Sequence, residues 1–271
     1  MKYDKTDMKK KRNRKCKNKS KINLHEFANN NENKHICFDK DESIPLNTLP
    51  TEFYDSLNSQ KIEVTSDILK YWNQRYKYFV KFDCGIQMDK EAWYSVCPEQ
   101  TAIHIASRLP PKSICINAFC GVGSLSIKIA EICSIVYCID INPDKITMAK
   151  HNASVYGSSD KIEFIVGDYF DVINNFAGIS QVIMLDPPWG GPEYILSKWM
   201  DPNEFNIPNI LHTALQICPN VGVLLPRNLS IDKFKKCLPF GLQVELEQNL
   251  INTKYKTITA YFGSLIPDNI Y

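Results

Sequence analysis

The sequence predicts an α/β fold: a mostly parallel seven-stranded sheet with helices on both faces, an antiparallel hairpin at one edge and a small helical extension ahead of it. Three observations carry this expectation. After Pro110-Pro111, short apolar runs alternate with amphipathic ones, the pattern of successive βαβ units. The last two apolar runs are separated by a short link that suits a hairpin rather than a crossover. Before residue 110 the apolar spacing is helical instead.

Residues 1 to about 45 are rich in Lys, Asn and Asp and poor in large apolar side chains, which predicts a disordered basic tail. Residues 46–110 form the expected helical extension, with Ile68, Leu69, Trp72, Tyr76 and Phe79 spaced by three or four. A second helix there is expected from Pro98 to Arg108, turning Ile103, Ile105 and Ala106 inward. The sheet domain then occupies residues 111–271. Its strands are expected at Ser113–Phe119, Ser134–Asp140, Lys161–Val166, Gln181–Asp186 and Val221–Pro226, with the hairpin in LQVELEQN and KTITAYFG. Helices are expected at Ser124–Ile132, Pro143–Tyr156 and near Ile231–Leu238.

Apolar residues make up 44% of the chain and charged residues 23%, values that suit a globular core. The net charge of +2 conceals an asymmetry. Residues 1–21 hold 11 Lys or Arg against 2 acids, a charge of +9, so the remainder carries 21 bases, 28 acids and about −7. The run Lys9–Lys21, KKKRNRKCKNKSK, suits nuclear import or loose attachment to RNA–protein complexes. The ten cysteines show no zinc spacing, so no metal is expected, and those inside apolar runs suit free thiols in an intracellular chain. No apolar stretch reaches membrane-spanning length, so no membrane partner is expected.

Ligands of open α/β sheets sit at the carboxyl ends of the strands, where the polar residues of this sequence gather. The first strand ends in NAFCGVGS (Asn117–Ser124), whose Gly121 and Gly123 let a ligand approach the backbone. That turn alone also suits an ordinary strand–helix junction or a nicotinamide-cofactor loop. The second strand ends in Asp140, placed to accept hydrogen bonds from both hydroxyls of a ribose, and the third in Gly167-Asp168, placed to meet an adenine amine. The fourth ends in DPPWGGP (Asp186–Pro192). There the Asp186 side chain and the Pro187 carbonyl can accept from a planar amine while Trp189 stacks on its ring. Rigid prolines keep such an amine aligned for methyl transfer. A dinucleotide oxidoreductase would explain the first two features but gives DPPW no role.

From about Tyr71 to Ile266 the chain resembles the trimethylguanosine synthase family, in KYWNQRYKYFVKFDCGIQMDKEAWYSVCPE, NAFCGVGS, IDINPDKITMAKHNASVYG, KIEFIVGD, DPPWGGPEY, LLPRN and VELEQNLINTKYKTITAYFG. The resemblance implies a class I, Rossmann-like methyltransferase fold using S-adenosyl-L-methionine, with 7-methylguanosine-capped RNA as partner. It implies methylation of the cap's 2-amino group and a nuclear, or also cytoplasmic, location. Asp140 and Asp168 would hold the cofactor's ribose and adenine, with Phe79, Cys97 and the Ser95–Glu99 stretch over it. Asn117, Phe119, Cys120, Gly121 and Asp186 complete the implied cofactor set. Trp189 would stack on the methylated base, with Asp186 and Pro187 at the reacting amine, while Lys70, Arg227 and Asn228 would meet the cap phosphates. Two positions depart from the pattern: Asn117 stands where the family usually has Asp, and Cys97 where Thr is expected. Alternatives are a guanine 2-amino or adenine 6-amino methyltransferase of another RNA, or a cap-binding protein with weak turnover.

Overall fold

A computed structural model describes residues 65–191 and 197–267. The basic tail, the start of the helical extension up to residue 64, and Pro192 of the DPPWGGP run lie outside the described residues.

The sheet domain follows the predicted alternation. Strand β1 (Ile114–Ala118) leads to α5 (Ser124–Ile132), β2 (Ile135–Asp140) to α6 (Pro143–Tyr156), and β3 (Ile162–Val166) to a single turn, α7 (Tyr169–Val172). Then come β4 (Val182–Leu185), α8 (Ile207–Ile217), β5 (Val221–Pro226), α9 (Ile231–Cys237), β6 (Glu245–Ile251) and β7 (Lys254–Tyr261). The seven strands lie in the order β3-β2-β1-β4-β5-β7-β6. Pairs among the first five are parallel, and β7 runs antiparallel to both β5 and β6. The order reverses between β1 and β4, so the crevice for a ligand opens above their carboxyl ends.

Strand periodicity divides the buried side chains between two cores. Cys115, Val136, Cys138, Val182 and Met184 face one side, while Ile116, Ala118, Ile139, Ile183 and Leu185 face the other. The first side is covered by α5, α6 and the extension, the second by α8 and α9. Helix α8 was not expected from the sequence, although Ile207, Ile210, Leu211 and Ala214 form its buried stripe at helical spacing.

The extension is helical in short pieces: α1 (Leu69–Trp72), α2 (Arg75–Tyr78), α3 (Ala92–Ser95) and α4 (Glu99–Ser107). The periodic run from Ile68 to Phe79 is therefore not one helix. It breaks at Asn73-Gln74, where Gln74 leaves the helical region with φ −109°. The break lets the chain fold around an aromatic cluster in which Trp72, Phe82 and Trp93 lie 5.4–5.6 Å apart, ring centre to ring centre. In α4, Ile105 and Ala106 turn inward as expected, but Ile103 is 39% exposed and faces solvent. Helical geometry separates neighbours by about 100°, so residues 103, 105 and 106 cannot all face one way.

Buried charge fastens this extension to the sheet domain. Glu99 of α4 accepts from the Val80 N–H at 2.5 Å and the Tyr156 hydroxyl at 2.8 Å, and pairs with Lys128 of α5 at 2.9 Å. Lys145 of α6 pairs with Asp89 at 2.7 Å. The Asn152 side chain exchanges hydrogen bonds with both backbone groups of Gln87 and donates to the Val122 carbonyl of the glycine turn. Asn152 thus links the extension directly to the glycine turn.

Candidate active site

The glycine turn after β1 is built by left-handed backbone. Phe119 (φ +59°), Gly121 (φ +54°) and Gly123 (φ +87°) all adopt it, and Phe119, a non-glycine, is held there with its ring 5.1 Å from that of Tyr169. The two glycines serve different ends. A Cβ on Gly121 would meet nothing within 4 Å, so its backbone faces open space, whereas one on Gly123 would press within 3.1 Å of the Ala149 Cβ in α6. Gly121 is free for a ligand and Gly123 brings the helices together. Cys120 is buried beside them.

Asn117, the last polar residue before this turn, is fully buried. Its Nδ2 donates to the Met184 carbonyl at 3.3 Å, and its Oδ1 accepts from the Ser126 hydroxyl at 2.6 Å. The side chain therefore ties β1 to β4 and α5 beneath the turn. Asp140, at the end of β2, accepts from the Gly121 and Asn142 N–H groups, each at 2.9 Å. Each carboxylate oxygen retains further acceptor capacity for a hydroxyl. Asp168 caps α7 by accepting from the Phe170 N–H at 2.8 Å. Beside Asp140, Ile141 is 67% exposed. An apolar side chain so placed can support a flat ring next to a hydroxyl-binding carboxylate, and only the exposure, not the sequence pattern, singles it out.

The fourth strand end closes the crevice. The Asp186 N–H donates to the Ala118 carbonyl at 3.2 Å, placing Asp186 beside the β1 turn. Burial pushes its carboxyl up to about 7, since the charged form is poorly solvated there. The buried Cys97 thiol is pushed up as well, first by burial and then by the Asp186 charge nearby. The Cys97 carbonyl accepts from the Ser124 hydroxyl at 2.8 Å. Cys97 consequently joins the extension to the start of α5 just past the glycine turn, with Asp186 nearby. Pro187 is buried, and half-buried Trp189 packs on the core shared by the sheet and the extension. Gly190 lies against Phe205, whose ring a Cβ there would strike at 2.6 Å.

The structure thus gathers Cys97, Asn117, Phe119, Cys120, Gly121, Asp140, Asp168, Asp186, Pro187 and Trp189 at the carboxyl ends of β1–β4 or directly against them. Exposed Arg227 and half-buried Asn228 stand at the end of β5. Phe79 is buried in the core, with its ring 6.2 Å from that of Tyr156. Lys70 is exposed on α1 with its ammonium over the Tyr71 ring, and among the described residues no hydrogen bond or ion pair links it to the strand ends.

Fold and crevice together define a class I, Rossmann-like methyltransferase. The particular family follows from comparison with known proteins. Residues 112–265 match the family model described as RNA cap guanine-N2 methyltransferase, and the chain belongs to that family. It is 38% identical over 211 residues to the trimethylguanosine synthase of Schizosaccharomyces pombe, covering 74% of this chain and 87% of that protein. With the trimethylguanosine synthase of Saccharomyces cerevisiae it shares 30% over 193 residues, 66% of this chain and 61% of that one. A crystal structure of a Porphyromonas gingivalis W83 protein assigned as a methyltransferase superposes with a TM-score of 0.59 at 13% identity, covering 81% of this chain and 52% of that one, a likeness of fold alone.

Proposed function

We propose that the chain transfers methyl groups from S-adenosylmethionine to the exocyclic 2-amino group of the 7-methylguanosine cap of small RNAs, giving the 2,2,7-trimethyl or the dimethyl form. The observation that carries this reading is the Asp186-Pro187-Pro188-Trp189 turn, set beside an open glycine turn with a carboxyl that titrates near neutrality.

The residues present fit the cofactor. Open space above Gly121, the spare acceptor capacity of Asp140, the exposed Ile141 and the Asp168 cap would hold its nucleoside, with Cys97 and the Ser95–Glu99 stretch alongside. When bound, the cofactor supplies an electrophilic sulfonium methyl. The protein's share is to hold the acceptor amine. The Pro187 carbonyl and Asp186 accept its two hydrogens, which aims the nitrogen lone pair, and Trp189 fixes the plane of the base. A 7-methylguanine is cationic, so an indole face adds cation–π attraction of about 1–2 kcal/mol over plain stacking. Arg227 and Asn228, with Lys70 from the extension, would engage the triphosphate. Once nitrogen has accepted the methyl group, its proton passes to Asp186 or to water. A carboxyl titrating at about 7 can take and release that proton at neutral pH.

Part of the same proposal is a nuclear setting, with the Lys9–Lys21 run as the import signal. Incubation with labelled cofactor and a panel of methylated and unmethylated cap dinucleotides tests the reaction. Label should enter 7-methylguanosine caps only. Equal labelling of the unmethylated cap, or labelling of adenine, would replace this reading with a more general RNA amine methyltransferase.

A further inference from the structure

Trp199 is the one tryptophan of four that lies mostly in solvent, at 66% exposure, while Trp72 and Trp93 are buried and Trp189 half-buried. An exposed indole is unusual enough to ask what covers it in use. Its backbone is firmly held. The next residue, Met200, is 1% exposed and bridges to buried Leu229; its N–H donates to the Asn228 carbonyl at 2.8 Å, and its own carbonyl accepts from the Ser230 N–H at 2.9 Å. On the other side the Asn228 side-chain amide donates to the Ser197 carbonyl at 2.9 Å. Trp199 is thus clamped beside the Arg227-Asn228 corner at the end of β5. The same loop continues to Phe205, which abuts Gly190 immediately after Trp189.

Charge favours a polyanion here. Lys198 and Arg227 are exposed, and among the described residues neither makes an ion pair. The carboxylate of Asp201 in the same loop is already paired with Lys233 at 2.7 Å. Resting on the cap reading above, chemical connectivity then fixes what arrives. If the methylated base stacks on Trp189 and the phosphates meet Arg227 and Asn228, the nucleoside joined to the far end of the triphosphate emerges at that corner.

We infer that Trp199 is a second stacking platform, which takes a base of the RNA that follows the cap, with Lys198 and Arg227 flanking its phosphates. Stacking on an aromatic ring tolerates any base, so this contact adds affinity for capped RNA without adding sequence preference. A clamped loop also lowers the ordering cost of the contact.

The experiment compares kcat/KM for 7-methylguanosine triphosphate and for a 7-methylguanosine-capped trinucleotide in the wild type, Trp199→Ala and Trp199→Phe. The wild type should prefer the trinucleotide. Trp199→Ala should lose about tenfold on the trinucleotide, mainly through KM, with the mononucleotide unchanged. Trp199→Phe should recover part of the loss. Unchanged trinucleotide kinetics in Trp199→Ala, as expected of a protein-docking residue, would overturn the inference, and so would an equal loss on both substrates. A wild-type enzyme active on neither would instead refute the cap reading on which it rests.

Discussion

Asp186 holds its proton to about pH 7 because burial disfavours the carboxylate, whereas an ordinary aspartate releases its proton near 3.8. Between those values the folded chain binds more protons at this site than the unfolded chain, so this residue's contribution to stability falls as pH rises from about 4 to about 7 and then levels. Asp186→Asn, which keeps the shape without the charge, should therefore be more stable than the wild type at pH 8, by of order 2–4 kcal/mol, and equal to it near pH 4, as read by urea unfolding. If Asp186→Asn and the wild type diverge instead at low pH, burial does not raise this carboxyl. Asp140 stands as a hydrogen-bond acceptor at an open strand end. Asp140→Ala removes its bonds from the Gly121 and Asn142 N–H groups and, on the proposed reading, the acceptors for the cofactor's ribose. Cofactor affinity, measured by calorimetry, should drop by about ten- to a hundredfold while the fold persists. Asp140→Asn should recover only part, because an amide cannot restore the charge.

At the scale of elements, the strand ends were legible because each candidate site residue is tied to a countable place in a βαβ unit. Gly121, Asp140, Asp168 and Asp186 fall where a strand stops, and a strand is recognisable from its apolar run. Helix α8 was not expected, although Pro208 in its first turn and its apolar stripe mark it. The break between α1 and α2 was not legible at all, since it is imposed by Trp72, Phe82 and Trp93 meeting from distant positions. The role of Asn117 was half visible. Its place at the end of β1 could be read, but its engagement with Met184 and Ser126 depends on packing between elements. The joint between α4 and α5 gives an element-scale prediction. Glu99→Ala would strand the Val80 N–H and leave buried Lys128 with Glu131 alone, which should cost about 3 kcal/mol in unfolding free energy. Glu99→Gln should cost less, because its amide oxygen can still accept from Val80. Equal stability of Glu99→Ala and the wild type would show that the pair contributes nothing.

For the whole molecule, the described part of the extension is a wall of the core and not a decoration on it. Ile68, Trp72, Phe79, Phe82, Ile86 and Trp93 are all buried, and they share one cluster with Cys115, Leu125, Val136, Ile146 and Met184 of the sheet domain. Stripping these residues away would expose several aromatic side chains' worth of apolar surface, each worth about 1.5–3 kcal/mol when buried, against a total stability of only about 5–15 kcal/mol. It would also leave Lys128 without Glu99, and Lys145 without Asp89 and Glu91. The two cuts suggested by the sequence should therefore have opposite outcomes. A chain beginning at residue 46 loses only a segment rich in Lys, Asn and Asp, and should methylate a cap dinucleotide at nearly the full rate. A chain beginning at residue 111 keeps every strand, yet should aggregate or expose its core, and should bind neither cofactor nor cap. Circular dichroism, thermal unfolding and methyl transfer on both truncations decide the matter. An active, cooperatively folded chain from residue 111 would mean that the sheet domain closes its own core and that Cys97, Glu99 and Lys70 are dispensable to the site.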